Sequence, residues 1–148
     1  MKVAVGCDHG GFVLKETIVE TLNKLGADVV DFGTNDTESV DYPVFAEKVA
    51  HAVADKVCEL GVLLCGTGIG MSIAANKVKG IRAAVLSDVF SAKATRQHND
   101  SNILCLGGRV VTPEDAAKLL TIWFTAEFEG GRHQKRVDMI TDIENRNL

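Results

Sequence analysis

The run Cys65-Gly66-Thr67-Gly68-Ile69-Gly70 follows the apolar stretch Gly61-Val62-Leu63-Leu64 and leads into a helical pattern from Met71 onward. A strand that ends in a glycine-rich turn and then starts a helix leaves several backbone N–H groups without partners, aimed beyond the carboxyl end of the strand. The arrangement suits an anion, with a thiol at its edge. The positive end of the helix dipole favours thiolate over thiol, so Cys65 is a candidate base or nucleophile near neutral pH. A Walker A loop carries Lys-Ser/Thr after its last glycine, whereas Met71-Ser72 stand here, which argues against a nucleoside triphosphate.

Four other segments carry groups of the same kind: Asp8-His9-Gly10-Gly11, Arg96-Gln97-His98-Asn99-Asp100, Gly107-Gly108-Arg109 and Arg132-His133-Gln134-Lys135-Arg136. Singly, each has a structural explanation. Asp8 reads as a helix cap, His98-Asn99 as a helix C-terminus, Arg132 and Arg136 as a solvated pair on one helical face, and Cys65 as a core residue like Cys58 and Cys105. Yet arginine at a helix start opposes the dipole, and a bound anion is a physical reason for placing it there. Together, an arginine pair for a phosphate, an N–H cradle for a developing oxyanion, a thiol and a histidine for proton transfer suit enolisation of a phosphorylated sugar. Such a reaction calls for no metal and no other cofactor.

Short β-like runs alternate with longer amphipathic ones, the pattern of a parallel sheet covered by helices on both faces. Strands are expected at 2–7, 28–32, 61–65, 81–86 and 102–106, and helices at 12–25, 44–55, 71–78, 89–98, 113–128 and 132–146. In an open parallel sheet ligands bind beyond the carboxyl ends of the strands, where several of the polar segments fall. Segment 33–42 is the longest irregular stretch and ends at Tyr42, the only tyrosine.

At 148 residues, 46% hydrophobic and with two prolines, the chain is expected to form one domain spanning 1–148. A net charge of -4 argues against a general nucleic-acid binder. No apolar stretch approaches the roughly 20 residues of a membrane span, and Met1-Lys2 runs straight into Val3-Ala4-Val5, so a cytoplasmic protein with no membrane partner is expected. The four cysteines have no CxxC spacing, which points to reduced thiols and away from structural zinc.

The segments GCDHGG from Gly6, DFGT from Asp31, DYP from Asp41, CGTGIGMSIAANK from Cys65, GIRAA from Gly80, RQHND from Arg96, LGGRVV from Leu106 and EGGRHQKRV from Glu129 resemble those of the B-type ribose 5-phosphate isomerases almost end to end. The resemblance implies a Rossmann-like three-layer α/β/α sandwich with a five-stranded parallel sheet and an extra C-terminal helix. It implies interconversion of ribose 5-phosphate and ribulose 5-phosphate in the non-oxidative pentose phosphate pathway. Cys65 would shuttle the proton between C1 and C2, His98 would open the furanose ring, and Thr67 would assist. The N–H groups of Gly66, Thr67, Gly68, Ile69 and Gly70 would hold the enediolate, and Asp8 and Asn99 the sugar oxygens. Arg132, Arg136, Arg109 and His9 would hold the phosphate. Homodimers, in places paired into tetramers, share their sites in this family, with His98, Asn99 and Arg109 reaching into the partner's. Some relatives lack the loop cysteine and use glutamate where this chain has Met71, so the chain resembles the cysteine branch. Allose 6-phosphate isomerase and a non-catalytic sugar-phosphate-binding regulator are the alternatives on the same scaffold.

Overall fold

The structure, a computed structural model, describes residues 1–148. Its elements run β1 (Lys2–Cys7), α1 (Phe12–Lys24), β2 (Asp28–Asp31), α2 (Tyr42–Ala54), β3 (Leu60–Cys65), α3 (Ile69–Ala75), β4 (Ala83–Val85), α4 (Val89–Asn99), β5 (Ile103–Gly107), α5 (Pro113–Thr125) and α6 (Arg132–Arg146). All strand pairs are parallel, in the order β2-β1-β3-β5-β4. The fold is therefore the expected α/β architecture, a five-stranded parallel sheet between two helical layers with α6 added.

Alternation along the central strands divides the core in two. Val3, Val5, Cys7, Val62 and Leu64 face Leu14, Ile18 and Leu22 of α1 and Leu119, Leu120 and Trp123 of α5. On the other face Ala4, Leu63, Cys65, Ile103 and Cys105 meet Val49 and Val53 of α2 and Met71 and Ala75 of α3. Helix α6 packs on α4 and buries Val137, leaving Ile140 and Ile143 exposed. No helix is long and apolar enough to cross a membrane.

Several boundaries depart from the sequence reading by one to three residues, and three of them bear on the site or the sheet edge. Helix α3 starts at Ile69, inside the glycine run, because Gly68 adopts a left-handed conformation (φ 79°) open to glycine and serves as the N-cap. Helix α5 stops at Thr125, where Ala126 turns extended (ψ 151°). The chain then crosses to α4, where Glu129 N–H donates to the Gln97 carbonyl at 3.0 Å. Strand β4 is only three residues long, as suits an edge that pairs with β5 alone.

The turns after β1, β3 and β5 lie against one another, and glycines make that possible. A Cβ on Gly108 would lie 2.3 Å from the Gly10 carbonyl oxygen, one on Gly107 2.6 Å from Thr67 backbone, and one on Gly11 2.3 Å from the Leu64 carbonyl group. Real Cβ atoms do not approach backbone so closely, so each side chain would force two turns apart. Gly11→Ala is expected to cost about 3 kcal/mol in stability, read by urea unfolding. An unchanged midpoint would show that the β1 and β3 turns are free to separate.

Candidate active site

The three interlocked turns form the floor of a site at the carboxyl edge of the sheet. Gly108 N–H donates to the Cys65 carbonyl at 2.8 Å and Arg109 N–H to that of Gly66 at 2.9 Å, so the β3 and β5 turns are stitched together. Cys65 ends β3 with its side chain on the α2/α3 face, and its Sγ accepts a hydrogen bond from Gly68 N–H at 3.1 Å. The other cysteines are core thiols: burial pushes Cys7 up to about 11 and raises Cys58 and Cys105 as well.

Of the five loop N–H groups expected to face an oxyanion, two are engaged within the loop. Gly68 N–H is held by Cys65 Sγ and Ile69 N–H by Thr67 Oγ1 at 3.2 Å. Gly66, Thr67 and Gly70 remain as donors for an incoming group. The two engaged groups stand at the N-cap and first residue of α3, which starts inside the loop.

Asp8 is buried beside this loop, and its Oδ1 accepts from Gly10 N–H at 2.8 Å and Gly11 N–H at 3.0 Å. Asp8 is thus not the cap of α1, whose N-cap is Gly11; one of its carboxylate oxygens closes the turn after β1. His9 Nδ1 accepts from Val40 N–H at 3.2 Å, which puts the ring proton on Nε2 and leaves that atom as a donor. Segment 33–41, which supplies Val40, is anchored by Lys15: its ammonium donates to the Thr34 carbonyl at 2.9 Å and Asn35 Oδ1 at 2.7 Å and pairs with Asp31 at 2.6 Å. Arg109 lays its guanidinium over Gly66, where a Cβ would meet Nη1 at 3.0 Å. Tyr42 covers Gly70 in the same way, with ring carbons 2.6 and 2.7 Å and the hydroxyl oxygen 3.1 Å from where a Cβ would stand.

The second group of residues lies elsewhere. His98 and Asn99 form the last turn of α4, which leads into the amino end of β5, whereas Cys65 is level with Gly107 at its carboxyl end. Strand β5 alone spans about 13 Å between those levels. The α4 end is held in place by Arg82, whose Nε donates to the carbonyls of Asn99 and Asp100 at 3.0 Å each, and by pairing of Arg82 and Arg96 with Asp100. Arg96 also donates to the Ser101 carbonyl and stacks over Trp123, whose Nε1 donates to Ser101 Oγ at 2.9 Å.

Beside that end stands the start of α6. His133 stacks on His98 with ring centroids 4.3 Å apart and planes 10° from parallel. Glu129 Oε1 is 3.7 Å from His98 Nε2 and 3.4 Å from His133 Nε2. Burial first, then the neighbouring His98 and Arg132, hold the His133 imidazole below its ordinary pKa, while Glu129 acts the other way. Arg132 and Arg136 are exposed on the first two turns of α6.

The sequence-predicted residues therefore fall into two groups within one chain. Asp8, His9, Cys65, Gly66, Thr67, Gly68, Ile69, Gly70 and Arg109 gather at the carboxyl edge, and His98, Asn99, Arg132 and Arg136 at the amino edge. Within the chain Arg109 lies over Gly66 at the carboxyl edge, apart from His98 and Asn99, with which the resemblance groups it. Each group alone lacks either the Cys65 thiol or the His98 imidazole.

Residues 3–140 match the family described as Ribose/Galactose Isomerase. The chain belongs to the ribose/galactose isomerase family. It is 53% identical over 145 residues to ribose-5-phosphate isomerase B of Escherichia coli, covering 98% of this chain and 97% of that one. The structure superposes on ribose-5-phosphate isomerase B of Clostridium thermocellum with a TM-score of 0.98, at 52% identity and full coverage of both chains. The enzyme of Mycoplasma genitalium, solved with bound ribulose-5-phosphate, gives a TM-score of 0.92 at 42% identity, covering 97% of this chain and 96% of that one.

Sequence reasoning left out three residues that this family member brings to the two edges. Tyr42 was marked only as the end of a long loop, and nothing in its neighbours announces contact with Gly70. His133 and Glu129 were passed over in favour of the arginines, although Glu129 and His133 are four apart across Gly130-Gly131, a spacing that brings them together once α6 begins at Arg132.

Proposed function

We propose that this chain is a ribose-5-phosphate isomerase that interconverts D-ribose 5-phosphate and D-ribulose 5-phosphate through an enediolate, acting as a homodimer whose sites are composed from both subunits. The observation that carries this reading is the division of the site between opposite edges of one sheet. A base at one edge and an acid at the other cannot serve one small sugar, whereas two copies related by a twofold axis can set the carboxyl edge of one against the amino edge of its partner. The exposed Ile140 and Ile143 on α6 supply apolar surface for such a contact, and two dimers could pair further into a tetramer. The E. coli and M. genitalium relatives support the pentose substrate over the allose 6-phosphate and regulator alternatives.

In this site the partner's His98 protonates the ring oxygen as the cyclic sugar opens, with Asn99 beside it on the sugar oxygens. Thr67 orients the open chain, and Asp8 accepts a hydroxyl with the carboxylate oxygen its turn leaves free. Cys65 Sγ removes the C2 proton and returns it to C1. The intervening negative charge meets the N–H groups of Gly66, Thr67 and Gly70, with Gly68 and Ile69 fixing the loop's shape. His9 and Arg109 from one subunit, with Arg132 and Arg136 from the other, surround the phosphate. The whole chain acts as one domain in the cytoplasmic pentose phosphate pathway, with no nucleic-acid or membrane partner.

The direct test is turnover of ribose 5-phosphate by purified protein in the presence of a chelator. Tight binding of the sugar phosphate without ribulose 5-phosphate appearing would replace the isomerase with the regulator. For the phosphate contacts, charge-assisted hydrogen bonds contribute roughly 1.5 to 3 kcal/mol each, so Arg132→Ala should weaken ribose 5-phosphate binding by about ten- to a hundredfold. Free ribose should bind equally to both proteins. Equal losses for the two sugars would take Arg132 off the phosphate.

A further inference from the structure

The cluster at the amino edge has a property that sugar isomerisation does not use. One ring nitrogen each of His98 and His133 and a Glu129 carboxylate oxygen lie within 4.8 Å of one another. Around a tetrahedral Zn2+ with bonds near 2.0 to 2.1 Å, ligand atoms stand about 3.3 Å apart. The His133 to Glu129 separation of 3.4 Å already matches that spacing, and the 3.7 Å between His98 and Glu129 needs a shift of a few tenths of an ångström. The two rings are stacked 10° from parallel, so closing the histidine edge takes the half-exposed His98 ring turning out of the stack until its plane contains the ion, with His133 as the fixed wall. Both Nε2 atoms lie within 4 Å of the same Glu129 oxygen, so once the His98 ring has turned an ion beside that oxygen would meet all three residues.

We propose that His98, Glu129 and His133 form a binding site for a divalent transition-metal ion of the Zn2+ class, and that an ion held there inhibits the enzyme by taking the His98 nitrogen. Two imidazoles and a carboxylate select ions that accept nitrogen ligands, such as Zn2+, Co2+ or Ni2+, over Mg2+ and Ca2+, which take oxygen. The fourth position stays open to water. Entry is available, since the side chains of His98 and Glu129 are 40% and 51% exposed while His133 forms the buried wall at 8%. The cations Arg132 and Arg136 beside the site work against a divalent ion, and the Glu129 carboxylate offsets part of that repulsion. The scaffold around Arg82, Asp100 and Ser101 holds the backbone of the α4 end, so on binding only the His98 ring has to move.

The inhibitory half rests on the isomerase reading, and the binding half does not. Titrating the whole protein with Co2+ should give the strong visible bands of a four-coordinate ion, saturating at one ion per chain and abolished by added Zn2+. His133→Gln and Glu129→Gln should each weaken Co2+ binding by about a hundredfold or more, above what the loss of an outer-shell partner costs. Cys65→Ser should bind Co2+ like the unaltered protein. Zn2+ should then inhibit ribose 5-phosphate turnover with the same half-saturation at which it displaces Co2+, and Glu129→Gln should raise that concentration in parallel. No four-coordinate Co2+ spectrum, or a spectrum that survives Glu129→Gln or disappears with Cys65→Ser, would overturn the site. Full turnover by protein saturated with Zn2+ would overturn the inhibition. Protein that is inert with chelator present yet shows the expected spectrum would refute the isomerase reading while leaving the metal site standing.

Discussion

Cys65→Ala is expected to lower turnover of ribose 5-phosphate by about a thousandfold or more, within the range that a positioned general acid or base contributes. Exchange of the C2 hydrogen with solvent deuterium should be lost with it, because that exchange reports the proton transfer itself. Phosphate affinity should hold, since His9, Arg109, Arg132 and Arg136 keep their positions. Stability should fall by only about 1 kcal/mol, the contribution of the one hydrogen bond from Gly68 N–H to Sγ. Cys65→Ser should be nearly as slow, as a hydroxyl is a far weaker acid at neutral pH and its oxygen a poor proton acceptor. The one carboxylate beside the loop, Asp8, is held through Oδ1 by the Gly10 and Gly11 N–H groups in its own turn. Met71, at the position where some relatives use glutamate, is fully buried against Ala75 and Ile81 in the α2/α3 face of the core. Near-normal turnover by the alanine protein would place the base elsewhere in the loop.

The fold was largely legible in the sequence because its strands are short and almost wholly apolar and its helices carry clear stripes. What periodicity could not give was pairing. Nothing in the residues of β4 and β5 announces that β5 inserts between β3 and β4, since strand order is decided by long-range packing. The site was legible in its residue types and not in its geometry, for the same reason. Polar segments beyond β1, β3 and β5 come together at the carboxyl edge by the general rule for parallel sheets. The α4 end and α6 start are just as polar, but α4 and α5 run antiparallel to the strands, so the end of α4, and the start of α6 that follows α5 with no strand between them, arrive at the opposite edge. Arg109 shows the limit of resemblance as well: its place over Gly66 follows from the glycine turn at Gly107 and Gly108, and no motif states which chain's site it serves.

Complementation between two inactive chains should separate a composite site from a self-contained one. Cys65→Ala and His98→Asn proteins, each nearly inactive alone, are expected to recover about a quarter of normal activity when their subunits exchange at equal amounts. Random exchange makes half of the dimers mixed. In a mixed dimer one site joins the two substituted edges and is dead, while the other joins an intact Cys65 edge to an intact His98 edge. The distance along β5 leaves little room for a different outcome, since within one chain the two residues stand at opposite ends of a strand about 13 Å long. Mass spectrometry can confirm exchange independently of activity. If mixed dimers form and no activity returns, the acid and the base belong to one chain, and the amino-edge cluster must be given some role other than ring opening.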